Sequence, residues 1–192
     1  MALTKSTMLP LGTSLPHFEL PDVVTGKQIS STQLAGYPGT LVMFICRHCP
    51  YVIHVQEEIA RLGKEYGEKG ITMIAISSND IENYPDDRPE QLKAMAQENG
   101  FSFPYCYDEG QEVAKLFTAA CTPDFFLFDD NQQLVYRGQL DDSRPGNGKP
   151  VTGKDLRAAM DAVLAKQLVS QDQKPSAGCN IKWKAGGSPN YF

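Results

Sequence analysis

The chain is 192 residues long with 41% hydrophobic content, enough for one domain with a sizeable core and too short for two large ones. A net charge of -5 with no dense Lys/Arg block argues against a nucleic-acid or anionic-membrane surface, and no apolar run approaches the roughly 20 residues of a membrane span. Residues 1–16 lack the apolar centre of a signal peptide, so a cytosolic protein is expected, and its five cysteines point to reactive or buried thiols rather than a structural disulfide framework.

In chain order, residues 1–15 are polar and mixed and read as a loosely held arm. Phe18-Glu19-Leu20 and the turn Thr25-Gly26-Lys27 predict a short hairpin, with His17 at its start as a surface or hydrogen-bonded residue. Residues 31–34 read as one helical turn before the apolar run Leu41-Val42-Met43-Phe44-Ile45, the pattern of a strand buried on both faces. That run breaks at Cys46-Arg47-His48-Cys49-Pro50. Beyond it Val52, Val55, Ile59, Leu62 and Tyr66 recur at helical offsets, closing at Gly67. His54 falls on the polar side of this helix.

Residues 71–77 predict a second buried strand. Strand, crossover helix and strand make a right-handed unit, which brings Ser77, Ser78, Asn79 and Asp80 to the same sheet edge as Cys46. Residues 81–88 form a loop, a rim over that edge or a solvated connection. A helix over 89–99, stopped by Gly100, leads to a strand of alternating Phe101, Phe103 and Tyr105, with Cys106 a small buried hydrophobe on its other side. Asp108 and Gln111 resemble a capping box for a helix through Phe117. Pro123 can begin, but cannot sit inside, the aromatic strand that follows Cys121-Thr122. That strand pairs as a hairpin with Leu134-Val135-Tyr136-Arg137. Thr152 and Asp155 cap a last helix carrying Leu156, Met160, Val163 and Leu164, and the tail from residue 170 holds one apolar island, residues 179–183.

The C-x-x-C is the chemical centre of this pattern. A strand running into it and a helix running out place Cys46 at or just before a helix N-terminus, where unpaired N–H groups and the dipole favour a thiolate. Two cysteines three apart on a first turn close a small disulfide with little movement. Cys46, nearer the helix end and better exposed, is the expected nucleophile and Cys49, one turn deeper, the resolving thiol, with Arg47 and His48 lowering the thiol pKa through their charge. Zinc held by this motif needs two more ligands at similar spacing, and no second pair exists. A c-type haem needs histidine directly after Cys49, where Pro50 stands.

As a set, several motifs resemble the AhpC/TSA redoxin group of thioredoxin-fold proteins, and within it a peroxiredoxin-like branch: Pro16-His17-Phe18-Glu19-Leu20-Pro21-Asp22, Phe44-Ile45-Cys46-Arg47-His48-Cys49-Pro50-Tyr51-Val52, Cys121-Thr122-Pro123-Asp124, Tyr136-Arg137-Gly138, Asp141-Asp142-Ser143-Arg144 and Gly178-Cys179-Asn180-Ile181-Lys182-Trp183. The resemblance runs from about Leu11 to Lys184. It implies an α/β, thioredoxin-like three-layer fold, a central mixed β-sheet flanked by helices with an N-terminal β-hairpin extension, here a domain over 1–169 and a packed tail over 170–192. It implies too that Pro123 is a cis-proline against the C-x-x-C and that Thr122 offers backbone hydrogen bonds to an extended or disulfide-linked substrate. Thr40 stands where thioredoxins often keep a buried acid, and Val42 and Cys46 replace the proline and threonine that precede the reactive cysteine of peroxiredoxins.

The expected activity is thiol-disulfide exchange through a Cys46/Cys49 dithiol-disulfide cycle, acting on protein or small-molecule disulfides, with a thiol electron donor and no bound organic cofactor. Thiol peroxidase chemistry is the alternative enzyme class, and a zinc- or copper-binding module the non-enzymatic one. Cys121 and Cys179 are candidate accessory thiols, Cys179 either as a structural anchor or as a third redox thiol.

Overall fold

Strand β4 (Gly39–Phe44) is buried along its whole length because it occupies the centre of a five-stranded sheet ordered β6-β5-β4-β8-β9. The computed structural model describes residues 3–191. In that sheet β5 (Ile71–Ser77) and β6 (Tyr105–Tyr107) run parallel to β4, while β8 (Asp124–Asp129) is antiparallel to β4 and β9 (Leu134–Gly138) antiparallel to β8. This is the mixed sheet that the resemblance implies. The register sets Phe44 opposite Asp124 on one side and Ile76 on the other, so the C-x-x-C, the end of β5 and the start of β8 share one edge.

Alternation along the strands sorts the core into two layers. Leu41 and Met43 of β4 with Phe125 and Leu127 of β8 pack beneath α1 (Pro50–Glu68), α2 (Pro89–Asn99) and α4 (Lys154–Leu164). Val42, Phe44, Phe126 and Phe128 face the other way, onto α3 (Glu112–Leu116), the hairpin β2 (Glu19–Pro21) and β3 (Gln28–Ser30), and Ile181 of the tail. Phe117 sits at the centre of this second layer, edge-on to Phe44 and Phe126 at 5.4 Å each. All five stripe residues of α1 are buried as their spacing predicts. Among the described residues no helix is long and apolar enough to cross a membrane.

Three local expectations are corrected. The strand expected from Phe101 begins only at Tyr105, because Phe101 and Phe103 stack on each other at 4.9 Å instead of extending. Asp108 and Gln111 do not form a capping box: the Asp108 carboxyl accepts from Ala114 N and Ser78 Oγ, and the Gln111 amide reaches the Ser78 and Lys182 carbonyls. The start of α4 is capped from a distance, Asp141 Oδ2 accepting from the N–H groups of Thr152 and Gly153 at 2.6 Å each. In the last two cases a partner beyond the expected local one takes the polar groups.

The two ends of the chain meet. Contrary to the loose arm expected, Leu3–Lys5 forms β1, which pairs antiparallel with the tail strand β10 (Ala177–Asn180), and β10 pairs in turn with β7 (Cys121–Thr122). Ile181 N–H donates to the Ala120 carbonyl, and Lys182 N–H to Asn79 Oδ1. Only glycine fits at 178, since a Cβ there would stand 2.0 Å from the Thr122 carbonyl oxygen. Gly178→Ala is therefore expected to lower stability in denaturant unfolding by about 2 kcal/mol through overpacking, with the loss in protection of backbone amides confined to residues 177–182. An unchanged unfolding midpoint would contradict the closeness of this strand to Thr122.

Candidate functional site

The turn between β4 and α1 is shaped by a carboxylate from elsewhere. Asp87, in a 3₁₀ turn at Pro85–Asp87, is fully buried; its Oδ1 accepts from the backbone N–H groups of Arg47 at 2.8 Å and His48 at 3.2 Å. Its Oδ2 meets His48 Nδ1 at 2.5 Å and accepts from Asn79 Nδ2 at 2.7 Å. Asp87 fixes this turn, and Pro50 sets where the helix begins by keeping Cys49 extended and filling the first helical position. The helix starts at Pro50, and its N-cap is Cys49. The expected placement shifts by one turn as a result: Cys49, not Cys46, sits at the helix end, and Cys46 is no better exposed, at 1% against 0%.

The two thiols close on the same residue, Thr122, and each shifts the ionisation of the other. Cys46 Sγ lies 3.4 Å from Thr122 Oγ1 and 3.9 Å from His48 Nδ1, and Cys49 Sγ lies 3.2 Å from the Thr122 carbonyl, to which its thiol form donates. The Thr122-Pro123 peptide is cis. Burial pushes the Cys46 thiol well up, helped by its hydrogen bond to Cys49 and by the Asp87 charge. Cys49 goes the other way. The Cys46 thiol donates to it, and against the opposing effect of burial the Cys179 thiol and Thr122 add further hydrogen bonds, so that its pKa falls to about 5. These opposite directions favour ionisation at Cys49, the residue at the helix N-terminus, over Cys46, while the Thr122 carbonyl at 3.2 Å accepts from the neutral Cys49 thiol.

The flanking residues divide unevenly. Arg47 was expected to act on the thiols, but its guanidinium turns to α2, donating to the Gln91 carbonyl at 3.1 Å and to Glu98 at 3.2 Å. His48 stays near Cys46, stacked on Tyr84 with ring centroids 5.4 Å apart, and its hydrogen bond to Asp87 raises its pKa. Burial alone would raise the Asp87 carboxyl, yet the hydrogen bonds from His48 and Asn79 and the charge of His48 hold it below its ordinary value. Cys46, His48 and Asp87 also offer sulfur, nitrogen and oxygen ligand atoms within 4.8 Å of one another, so a metal ion held there would have to replace the His48–Asp87 hydrogen bond.

Thr122 and Pro123 do reach the pair, but the backbone edge expected to receive a substrate is already taken: Cys179 lies opposite Thr122 and Asn180 opposite Cys121 in the β10–β7 register. Cys121 points away from the pair. Its thiol lies 3.8 Å from the Pro123 carbonyl, beside the buried Asp124 carboxyl, and burial pushes its pKa well up. Cys179 is brought in, its thiol shifting the ionisation of Cys49. Sequence reading missed Asp87, whose only local signal was its place between Pro85 and Pro89 in a loop read as either rim or connection. It also set His54 on the surface, whereas His54 lines a cleft with Tyr51, Pro123, Phe125 and Arg144 beside the cis-proline.

The AhpC/TSA family model matches residues 11–137. A conserved protein from Geobacillus kaustophilus is 53% identical, and its crystal structure superposes with a TM-score of 0.94 over 96% of this chain and 97% of that one. The thiol-disulfide oxidoreductase ResA of Halalkalibacterium halodurans is 25% identical over 124 residues, so the chain spans about two thirds of that relative, 65% of its length and of this chain. A thioredoxin-like protein from Neisseria meningitidis, 24% identical over 78% of this chain and 89% of its own, shares the fold with a TM-score of 0.61.

The ionisation of the pair is directly measurable. Thiolate absorbance of the reduced protein is expected to rise with a midpoint near pH 5, to lose that step in Cys49→Ser, and to show it at higher pH in Cys46→Ser, where the main donor to Cys49 is altered. A low step that survives Cys49→Ser and vanishes in Cys46→Ser would reverse the assignment.

Proposed function

The chain belongs to the AhpC/TSA family, and from that premise we propose that it is a thiol-disulfide oxidoreductase working through a Cys46/Cys49 dithiol-disulfide cycle. The observation that carries this reading is the placement of both cysteines against Thr122 at the start of α1, Cys46 Sγ 3.4 Å from its hydroxyl and Cys49 Sγ 3.2 Å from its carbonyl. Similarity to a protein named thiol-disulfide oxidoreductase supports it at the level of reaction class.

In this reading the Cys49 thiolate attacks one sulfur of a substrate disulfide, forming a mixed disulfide and expelling the other sulfur as a thiolate. Cys46, held against the same Thr122, then attacks Cys49 Sγ. The bond between Cys49 and the substrate sulfur it attacked breaks, that sulfur leaves with the Cys46 proton, and the Cys46–Cys49 disulfide remains. Two electrons from a thiol donor restore the dithiol. His48 and Asp87 hold the 46–49 turn in the shape that keeps both sulfurs against Thr122. Thr122 is a positioning residue here, through its hydroxyl and carbonyl rather than through a free backbone edge. Because the residues Cys46 and Cys49 are 1% and 0% exposed, the site has to open locally before any disulfide reaches Cys49, and a small molecule or a flexible segment needs the smallest opening.

Peroxide reduction is less well supported. Arg47 turns to Gln91 and Glu98, Arg61 to Glu58 at 2.9 Å, and Arg144, beside the cis-proline, donates to the Asp141 and Ser143 carbonyls and to Gln139 Oε1, so these three guanidinium groups are engaged away from Cys49. The test compares the two reactions in one preparation. The reduced protein is expected to reduce hydroxyethyl disulfide catalytically with a thiol donor, to lose at least tenfold in rate as Cys49→Ser, and to consume hydrogen peroxide no faster than an ordinary thiolate. Rapid peroxide consumption that Cys49→Ser abolishes, without disulfide turnover, would move the protein to the peroxidases.

A further inference from the structure

The tail brings a third thiol to the pair by strand pairing. β10 lies antiparallel to β7 with Cys179 directly opposite Thr122, the residue whose hydroxyl and carbonyl hold Cys46 and Cys49. β1 pairs with the other side of β10, placing Leu3 opposite Cys179, and Lys182 is tied to the end of β5 through Asn79 and Asp80. Gly178 lets the strand close on the Thr122 carbonyl to a distance at which no side chain fits. Addition of a strand to a short sheet edge is the way an extended peptide is commonly recognised, with backbone pairing for affinity and one side chain for specificity. Here the added strand belongs to the protein, and the side chain it delivers against Cys49 is a thiol.

We propose that β10 is a resident substrate strand and Cys179 an internal exchange partner: Cys179 Sγ attacks Cys49 Sγ of the Cys46–Cys49 disulfide, forming Cys49–Cys179 and releasing Cys46. One S–S bond forms and one breaks. The proton of Cys179 passes to the departing Cys46 sulfur, and no external oxidant or reductant is consumed. The low exposure of Cys179, 2%, does not oppose this, because the attack is intramolecular between side chains of one buried cluster, with Cys179 opposite Thr122. The exchange moves the disulfide from the helix mouth to the tail, ties β10 covalently to the start of α1, and returns Cys46 as a thiol beside His48. The inference rests on the dithiol-disulfide reading above and adds a second station to it.

Peptide mapping of the full chain tests it, because trypsin separates the three cysteines. Arg47 divides Cys46 (peptide 28–47) from Cys49 (peptide 48–61), and Cys179 falls in 167–182, since the bond after Lys174 precedes Pro175. The reduced wild type, Cys46→Ser and Cys179→Ala proteins are each treated with one equivalent of diamide, freed of oxidant, sampled over time, blocked with N-ethylmaleimide and digested without reduction. The expected result is a 28–47/48–61 link in wild type that redistributes in part to 48–61/167–182 after the oxidant is gone. Cys179→Ala keeps the first link unchanged, and monomeric Cys46→Ser forms the second to near completion. If peptide 167–182 remains fully alkylated in wild type and Cys46→Ser while the 28–47/48–61 link forms, the internal exchange is overturned and the dithiol cycle stands. A wild-type protein that never forms 28–47/48–61 but links 48–61 to 167–182 overturns the Cys46–Cys49 cycle instead, and with it the exchange step as written.

Discussion

The two-residue edge Cys121–Thr122 is where the chain's separate parts are made to meet. The Thr122 hydroxyl touches Cys46, its carbonyl touches Cys49, its backbone pairs with the tail, and the cis peptide that follows turns the chain into β8. These contacts come from the β4–α1 turn, the tail and the start of β8, and they depend on the antiparallel register of β4 and β8 that sets Phe44 opposite Asp124. A slip of one residue in that register would turn Phe125 and Phe126 to the wrong layers and carry Thr122 off the thiols. The core and the site are therefore specified by the same pairing.

Around that edge the electrostatics are set by burial acting against a few hydrogen bonds. A buried thiol is normally driven toward its neutral form, as the direction for Cys46 shows. Cys49 goes the other way because other groups donate to it, the Cys46 thiol foremost, and it caps the helix that Pro50 begins. A single carboxylate 38 residues downstream of Cys49, Asp87, fixes the turn before it. A buried ion pair such as His48–Asp87 is weak evidence for stability in itself, but removing one partner leaves an uncompensated charge, on the order of 3–5 kcal/mol. Its clearer consequence is shape, since it fixes the turn that carries both cysteines.

Much of this was legible in the residues. The unbroken run into the C-x-x-C, the stripe of α1 and the glycines ending α1 and α2 located the central strands and helices, since burial on one or both faces leaves a direct periodic trace. Pro123 before an aromatic strand marked the start of β8. What could not be read is what depends on partners distant along the chain. Nothing in Leu3-Thr4-Lys5 announces pairing with residues 177–179, and a three-residue strand carries too little alternation to detect. The helix start was misplaced for a local reason: Pro50 keeps Cys49 extended and opens the helix, a signal that reading Cys46 as the helix end overlooked. Arg47 looked like a partner of the thiols because it is adjacent in sequence, whereas its length lets it reach α2.

The measurement that bears most directly on the central claim is the equilibrium of the protein's thiols with glutathione buffers of graded poise, read by intact mass after alkylation. The account predicts one transition in which two thiols per chain are lost together, with no added glutathione at its end point, and its complete absence in Cys49→Ser. A wild-type protein that keeps the same number of alkylated thiols at every poise, or that gains only a single glutathione adduct, would contradict a dithiol-disulfide couple at this site.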